Sequence, residues 1–404
     1  MCRIAGKTRC ANGVRCVRFR NSVCYNLVKS IKRSLYKCLK RATDQTRVIV
    51  SFCIPVYNNS EAAVKIVHDL LASQDTRFEI VLSDDASTDD TQELLSQIHD
   101  PRFKYFRNAQ NLGAHQNWLH SLELGSGQWL YLVMGRDKLY GENIHSLIDS
   151  LEYARKNGVT CVMDSFQKQK GIRIYSGIDA MIKFLKTGHP TGTVLDRDIF
   201  RELPNPGEYF THSDMYPENY LRRDMLIRGK GAYINSGVNS LGRINYTKKT
   251  SNVDTSRDLW KIFFAPERVI KQSFELIDMV DIDLQDTFTE RERSRFFRSS
   301  FYWMLIRVSF TWRNHCSNPV LMNHYGLSTR KAGFRELAGN ILKAYHETKA
   351  HILSNGTYSL KRQLIMYYCT AKIFLTCPAA LAAKKILQRS GYWERLREII
   401  KWRM

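Results

Sequence analysis

From Arg47 to about Asp254 the chain alternates short β-rich apolar runs with amphipathic ones, and no other feature limits the fold as tightly. "VIVSFCIPVYNN" reads as a strand ended by Pro and Asn. "SEAAVKIVHDLLAS" then predicts a helix, with Ser60 as N-cap and Ala63, Val67, Leu70 and Leu71 on one face. The exchange recurs, with strands at "FEIVLSDDAS", "FKYFRN", "QWLYLVM" and "VTCVMDSF". Helices fall between them at "DDTQELLSQIHD", "GAHQNWLHSLEL" and "GENIHSLIDSLEYARKNG". Such alternation predicts an α/β domain with a mostly parallel sheet flanked by helices on both faces. Sheets of that kind bind ligands at the carboxyl ends of their strands. The polar clusters "YNN", "SDDAS", "RNAQN" and "GRDK" follow four of the strands and are expected to converge on one crevice.

The flanks have a different texture. With 404 residues the chain exceeds one ordinary domain, and three regions are expected: 1–46, 47–254 and 255–404. Met1 to Thr43 holds 12 Lys or Arg and no acid. Within it Val23, Leu27, Ile31, Leu35 and Leu39 recur at four-residue steps, a basic amphipathic helix. Two readings stay open for it: contact with an anionic membrane surface, or packing on the main domain. An organelle transit peptide has a similar composition. After Asp254 the pattern is helical, basic and aromatic-rich, and ends in "GYWERLREIIKWRM". This region is either a helical cap or a second contact with membrane or lipid-linked substrate.

The net charge of +22 calls for an anionic partner. Acids at the strand ends count against nucleic acid, whose phosphates they would repel. None of the ten cysteines forms a C-x-x-C pair, and no Cys/His group has zinc spacing. Cys53 and Cys161 lie in strand-like runs and are expected to be core thiols in a reducing cytoplasm. No N-terminal apolar segment of secretory type is present. The most apolar window, Leu364 to Ala383, contains Lys372 and Pro378, which argues against a membrane span.

Between Ile54 and Tyr140, "IPVYN", "SDDASTDDT", "NLGAHQN" and "SGQWLYLVMGRDKLY" occur in that order. Together they resemble the motifs of family 2 glycosyltransferases of the bacterial surface-glycan type, which have the GT-A fold. The resemblance covers roughly Val48 to Lys248. It implies an inverting enzyme moving a sugar from a nucleotide-sugar donor to a glycan or lipid-linked acceptor. Only the basic terminal regions point to the acceptor being lipid-linked and to a peripheral place on the inner face of the cell membrane.

The resemblance also assigns positions. Pro55, Tyr57 and Asn58 would receive the nucleotide base, with Asp85 accepting from base or ribose and Asp84 beside it. Asp89 would shape the turn, although Asp89 and Asp90 also suit helix capping. Asn111, Gly113 and Asn117 match the third motif, and Asn117 is equally readable as a locally bonded helix amide. At the fourth strand end, family members carry an acidic cluster that holds a divalent cation, Mg²⁺ or Mn²⁺, against the donor diphosphate. Here Met134 and Arg136 stand where acids are common, and Asp137 alone keeps one. Arg136 would either pair with the diphosphate itself or point away and close a turn. Farther on, "PTGTVLDRD" resembles a short strand with a small-residue turn. Counting back from Gly229, the second acid of the family's acceptor-side pair falls on Glu218, with Pro217 replacing the first. Glu218 is the expected general base and Asp214 the second choice, with His212 nearby. The competing readings are a catalytically inactive sugar-nucleotide binder and a basic nucleic-acid-binding protein.

Overall fold

The computed structural model describes residues 47–135, 137–165, 171–186, 190–209, 217–240, 264–324 and 327–389. The chain divides into two compact units, Met1–Val48 and Ile49–Met404, and the sheet with all its helices lies in the second. The basic N-terminal segment and the final "GYWERLREIIKWRM" fall outside the described residues.

An eight-stranded sheet is built from β1 (Val50–Val56), β2 (Phe78–Asp84), β3 (Phe103–Arg107), β4 (Trp129–Leu132), β6 (Val159–Asp164), β7 (Arg173–Tyr175), β8 (Thr193–Asp196) and β9 (Lys230–Ile234). The short pair β5 (Lys138–Leu139) and β10 (Asn239–Ser240) forms a separate antiparallel ribbon. Strand order is β3-β2-β1-β4-β8-β6-β9-β7. Four neighbouring pairs run parallel: β1/β2, β1/β4, β2/β3 and β6/β9. Three run antiparallel: β4/β8, β6/β8 and β7/β9. The sheet is therefore mixed, and β8, the "PTGTVLDRD" strand, separates β4 from β6.

Side chains alternate along each strand, so the two faces build two cores. Phe52, Ile54, Trp129 and Tyr131 enter one cluster, covered by α1 (Ser60–Leu71) and α4 (Ile144–Lys156). Cys53, Leu130 and Leu132 enter the other. That second face is covered by α3 (Ala114–Glu123), α5 (Gly177–Phe184) and α7 (Glu218–Ile227). The short helices α2 (Thr91–Ser96) and α6 (Arg197–Arg201) follow β2 and β8. Cys53 and Cys161 are buried free thiols, as their setting in apolar runs predicts.

Beyond residue 264 the described chain is helical: α8 (Pro266–Asp281), α9 (Glu290–Ile306), α10 (Trp312–Cys316), α11 (Pro319–His324), α12 (Phe334–Ser354) and α13 (Leu360–Arg389). Leu276 and Met279 of α8 and Phe296 of α9 join the second sheet core, so these helices dock on the α/β domain. Thr289 starts α9 with a reciprocal capping box to Glu292. A buried ion pair fixes α13: the Arg362 guanidinium reaches Asp281 of α8 at 2.6 and 2.9 Å. Burial pushes the Asp281 carboxyl up to about 6, against the pull of Arg362 and Arg293.

Candidate active site

The ends of β1, β2 and β3 are bound to one another by polar side chains. Pro55 lies in β1 beyond Cys53, the last β1 residue that pairs with β4, so its missing N–H interrupts no ladder on that side. Half-buried Tyr57 follows the strand. Asn58 turns with φ +48°, donates its N–H to Ser87 Oγ at 2.9 Å and accepts from Thr88 N–H at 2.7 Å. Asp84 is fully buried and accepts from Ser87 N–H, the Tyr105 hydroxyl at 2.6 Å and Arg107 Nη1 at 2.5 Å. Burial raises its carboxyl, but these hydrogen bonds outweigh it and hold the group below the usual carboxylate range.

Asp85 is 1% exposed. Its Oδ1 accepts from Asn108 Nδ2 at 2.9 Å and Leu112 N–H at 2.8 Å, and its Oδ2 accepts from Gly113 N–H at 3.0 Å. It therefore holds the 111–113 loop that carries the third motif. Asn111 is exposed and its Oδ1 also accepts from Gly113 N–H at 3.0 Å. Gly113 has φ +86°, and space for a Cβ is open there, so backbone conformation and not close approach calls for glycine. Asn117 is not locally bonded. It accepts from Ser83 Oγ at 2.6 Å and donates to Ser83 O at 2.9 Å, tying α3 to β2.

Two capping expectations are corrected. Asn59, not Ser60, occupies the N-cap of α1 and makes no side-chain cap bond there; its Nδ2 donates instead to Gly135 O at 2.9 Å. Asp90 holds the N-cap position of α2 without a side-chain bond, whereas Asp89 accepts from Thr91 N–H at 3.1 Å and Ser60 N–H at 3.2 Å. Asp89 thus ties the β2 turn to the start of α1.

Asp85→Ala should cost about 1–3 kcal/mol of stability, because the Leu112 N–H loses its acceptor while the Gly113 N–H keeps Asn111 and the Asn108 amide keeps Asn117. Donor affinity should fall in the same variant. Urea unfolding beside calorimetry with sugar nucleotides measures both, and native stability would remove the carboxylate's hold on the loop.

The second half of the crevice lies past β4. Asp137 is buried and accepts a short hydrogen bond from the Thr191 hydroxyl. Thr191 Oγ1 in turn accepts from Met134 N–H at 2.9 Å. The Met134 side chain packs on the second core, which explains an apolar residue at a position where acids are common. Arg136, Asp214 and His212 lie outside the described residues.

Two residues after Thr191, the Thr193 hydroxyl accepts from Arg222 Nη2 at 2.6 Å. Two residues span at most about 7 Å, so the segment 191–193 brings the partners of Asp137 and Arg222 together. Gly192 between them has φ +88°, and a Cβ there would lie 2.4 Å from Asp164 O. Only glycine makes that turn without displacing backbone.

Arg222 is fully buried in α7, and Glu218 precedes it by one helical turn. Glu218 is 4% exposed, and its Oε1 has no hydrogen-bond partner. Burial pushes its carboxyl up to about 7, with Arg222 opposing. A buried carboxyl without a full set of partners is costly and is a mark of a functional group.

Sequence reasoning passed over four participants: Thr191, Thr193, Arg222 and Asp164. Asp164 ends β6 and accepts from the Tyr131 hydroxyl at 3.0 Å, Ser236 Oγ at 2.6 Å and Ser236 N–H at 2.9 Å. Burial raises its carboxyl, with those bonds opposing. An acid closing a strand in "VTCVMDSF" was the available signal, the same one that marks Asp84.

Among the described residues no three His, Cys, Asp or Glu gather where they could hold a cation together. Asp137, a buried carboxylate that accepts from the Thr191 hydroxyl, fits a cation whose remaining positions are filled by phosphate and water.

The polar groups gather where β1, β2, β4 and β6 end, the ligand crevice of an open α/β sheet. A family model described as glycosyl transferase family 2 matches residues 51–249, and through that stretch the chain belongs to this family. The abequosyltransferase RfbV of Salmonella typhimurium is 30% identical over 102 residues, 24% of this chain and 31% of that protein. The succinoglycan biosynthesis protein ExoO of Rhizobium meliloti is 25% identical over 105 residues, 26% of this chain and 30% of that protein. The chain thus spans just under a third of the length of these curated relatives. Among solved structures, S. aureus TarS 1-349 in complex with UDP-GlcNAc overlaps with a TM-score of 0.47 at 14% identity, over 79% of this chain and 91% of that one. The mannosyltransferase PcManGT from Pyrobaculum calidifontis, in complex with GDP-Man and Mn²⁺, overlaps with a TM-score of 0.44 at 12% identity, over 81% and 87%.

Proposed function

We propose that the protein is an inverting glycosyltransferase of surface-glycan synthesis, with a nucleotide sugar as donor and a glycan or lipid-linked sugar as acceptor. Family membership supports the reaction class. The observation that carries the mechanism is the buried Glu218 carboxyl, which lacks a partner on Oε1 and titrates near neutrality. Glu218 takes the proton of the acceptor hydroxyl while that oxygen attacks the anomeric carbon from the face opposite the diphosphate. The new glycosidic bond forms as the bond to the diphosphate breaks, and the nucleoside diphosphate leaves with the electron pair. A base that titrates near the working pH suits this role. The Arg222–Thr193 hydrogen bond, one turn after Glu218, holds α7 against β8. The loops carrying Asn58, Asp84, Asp85, Asn111 and Gly113 form the base and ribose side. Asp137 would hold a divalent cation, which when bound supplies positive charge to the departing diphosphate.

Thermal unfolding against a panel of sugar nucleotides tests the donor. A ligand at 100 times its Kd should add about 2.7 kcal/mol of stability. With the responding donor and a glycan acceptor, release of the nucleoside diphosphate and the anomeric configuration of the product test the transfer. Donor binding without turnover would favour the inactive-binder reading, and a retained configuration would remove the inverting one.

A further inference from the structure

Helix α13 is apolar on two opposite sides and covered on one. At about 100° per residue, buried Arg362, Met366, Cys369 and Ile373 share one sector. That side packs with Phe297, Met304 and Ile341 in a separate core formed among the C-terminal helices, and the Asp281–Arg362 pair ties it to α8. The opposite sector holds Leu360, Leu364, Tyr367, Tyr368 and Leu375, between 52% and 78% exposed. From Leu360 to Leu375 the row runs about 22 Å. A helix apolar all round is ordinarily buried all round, and a contiguous exposed apolar row marks a contact surface.

Chemistry selects the occupant. From Leu360 to Arg389 the sequence has no Asp or Glu and, besides the buried Arg362, five Lys or Arg. Exposed Lys361 and Lys372 lie along one border of the row, with Lys372 Nζ 6.0 Å from the Tyr368 ring centroid. Tyrosine joins an apolar ring to a polar tip, which suits a water–lipid boundary. No described helix is long and apolar enough to cross a membrane. We propose that this face of α13 lies in the plane of an anionic membrane, with the leucines at the headgroup–acyl boundary and the lysines on lipid phosphates. The surface goes beyond the transfer reaction and does not depend on it.

The test is sedimentation of the full chain with vesicles of phosphatidylcholine alone, and of phosphatidylcholine with phosphatidylglycerol. The native protein should sediment with the anionic vesicles and be released by salt. Leu364→Ser with Leu375→Ser changes no charge and should weaken that binding at least tenfold. Leu364→Met with Leu375→Met should retain it. Both positions are exposed, so the unfolding midpoint and the response to a nucleotide sugar should stay native, which separates this surface from the donor site. Three results would overturn the proposal. The native chain binds no vesicle; the serine variant binds anionic vesicles as the native does, leaving attachment to the basic segment 1–46; or the serine variant only converts a dimer to a monomer in gel filtration.

Discussion

Glu218→Gln should cut sugar transfer by about 10²–10⁴-fold and leave donor affinity nearly native, because proton removal alone is lost. The native rate should rise with pH through about 7 as the carboxyl ionises, and the residual rate of the variant should lose that limb. Stability moves the opposite way. The folded-state value lies above the unfolded one, so the native state holds a proton that the unfolded chain has released. Native stability therefore falls as pH rises from about 4.5 through about 7, by an amount on the order of 3 kcal/mol when complete. Glutamine has no such charge to bury, so the inactive variant should outlast the native protein in urea at pH 8 and match it more closely at pH 5. Urea midpoints at the two pH values, set beside turnover, give the answer. Near-native turnover would transfer the base role to Asp214, and a pH-independent difference in stability would contradict burial as the origin of the raised value.

Asp137→Asn should lose transfer by roughly 10²-fold or more, a loss typical of removing one electrostatic stabiliser. Asparagine keeps the size of the side chain and can still accept from Thr191 through its carbonyl, so the fold should change little. The native enzyme should lose activity in EDTA and regain it with Mg²⁺ or Mn²⁺, whereas the variant should recover poorly with either. Titration of the native protein with Mn²⁺ in the presence of a nucleoside diphosphate, followed by the paramagnetic signal, reads the ion without turnover. If Asp137→Asn transfers sugar at the native rate and responds to EDTA as the native does, Asp137 only closes the β4 turn onto Thr191.

The strands and most helices were legible because burial writes itself into period. Phe52 and Ile54 face one core while Cys53 faces the other, and that alternation is visible without coordinates. The acids at strand ends were legible for a related reason: a charge at the edge of an apolar run must meet a partner or water. The insertion of β8 between β4 and β6 was not legible. Period two fixes which side chains share a face but not which strand lies beside which, and the need for glycine at 192 comes from Asp164 O, which only the assembled sheet brings against it.

The same division runs through the site. From sequence alone follow the α/β class, the family resemblance, the order of the polar clusters and the choice of Glu218 and Asp137. Tertiary structure decided what those groups do to one another. Asp85 looked like a group waiting for a ligand, yet its oxygens hold the loop at Leu112 and Gly113. Glu218 looked like ordinary first-turn chemistry, yet it is buried above Arg222 with an oxygen left over. A residue's type and neighbours in the chain specify its hydrogen-bonding capacity. How much of that capacity is already used, and how far water is excluded, depends on segments distant in sequence, such as Thr193 and Arg222, and only folding brings these together.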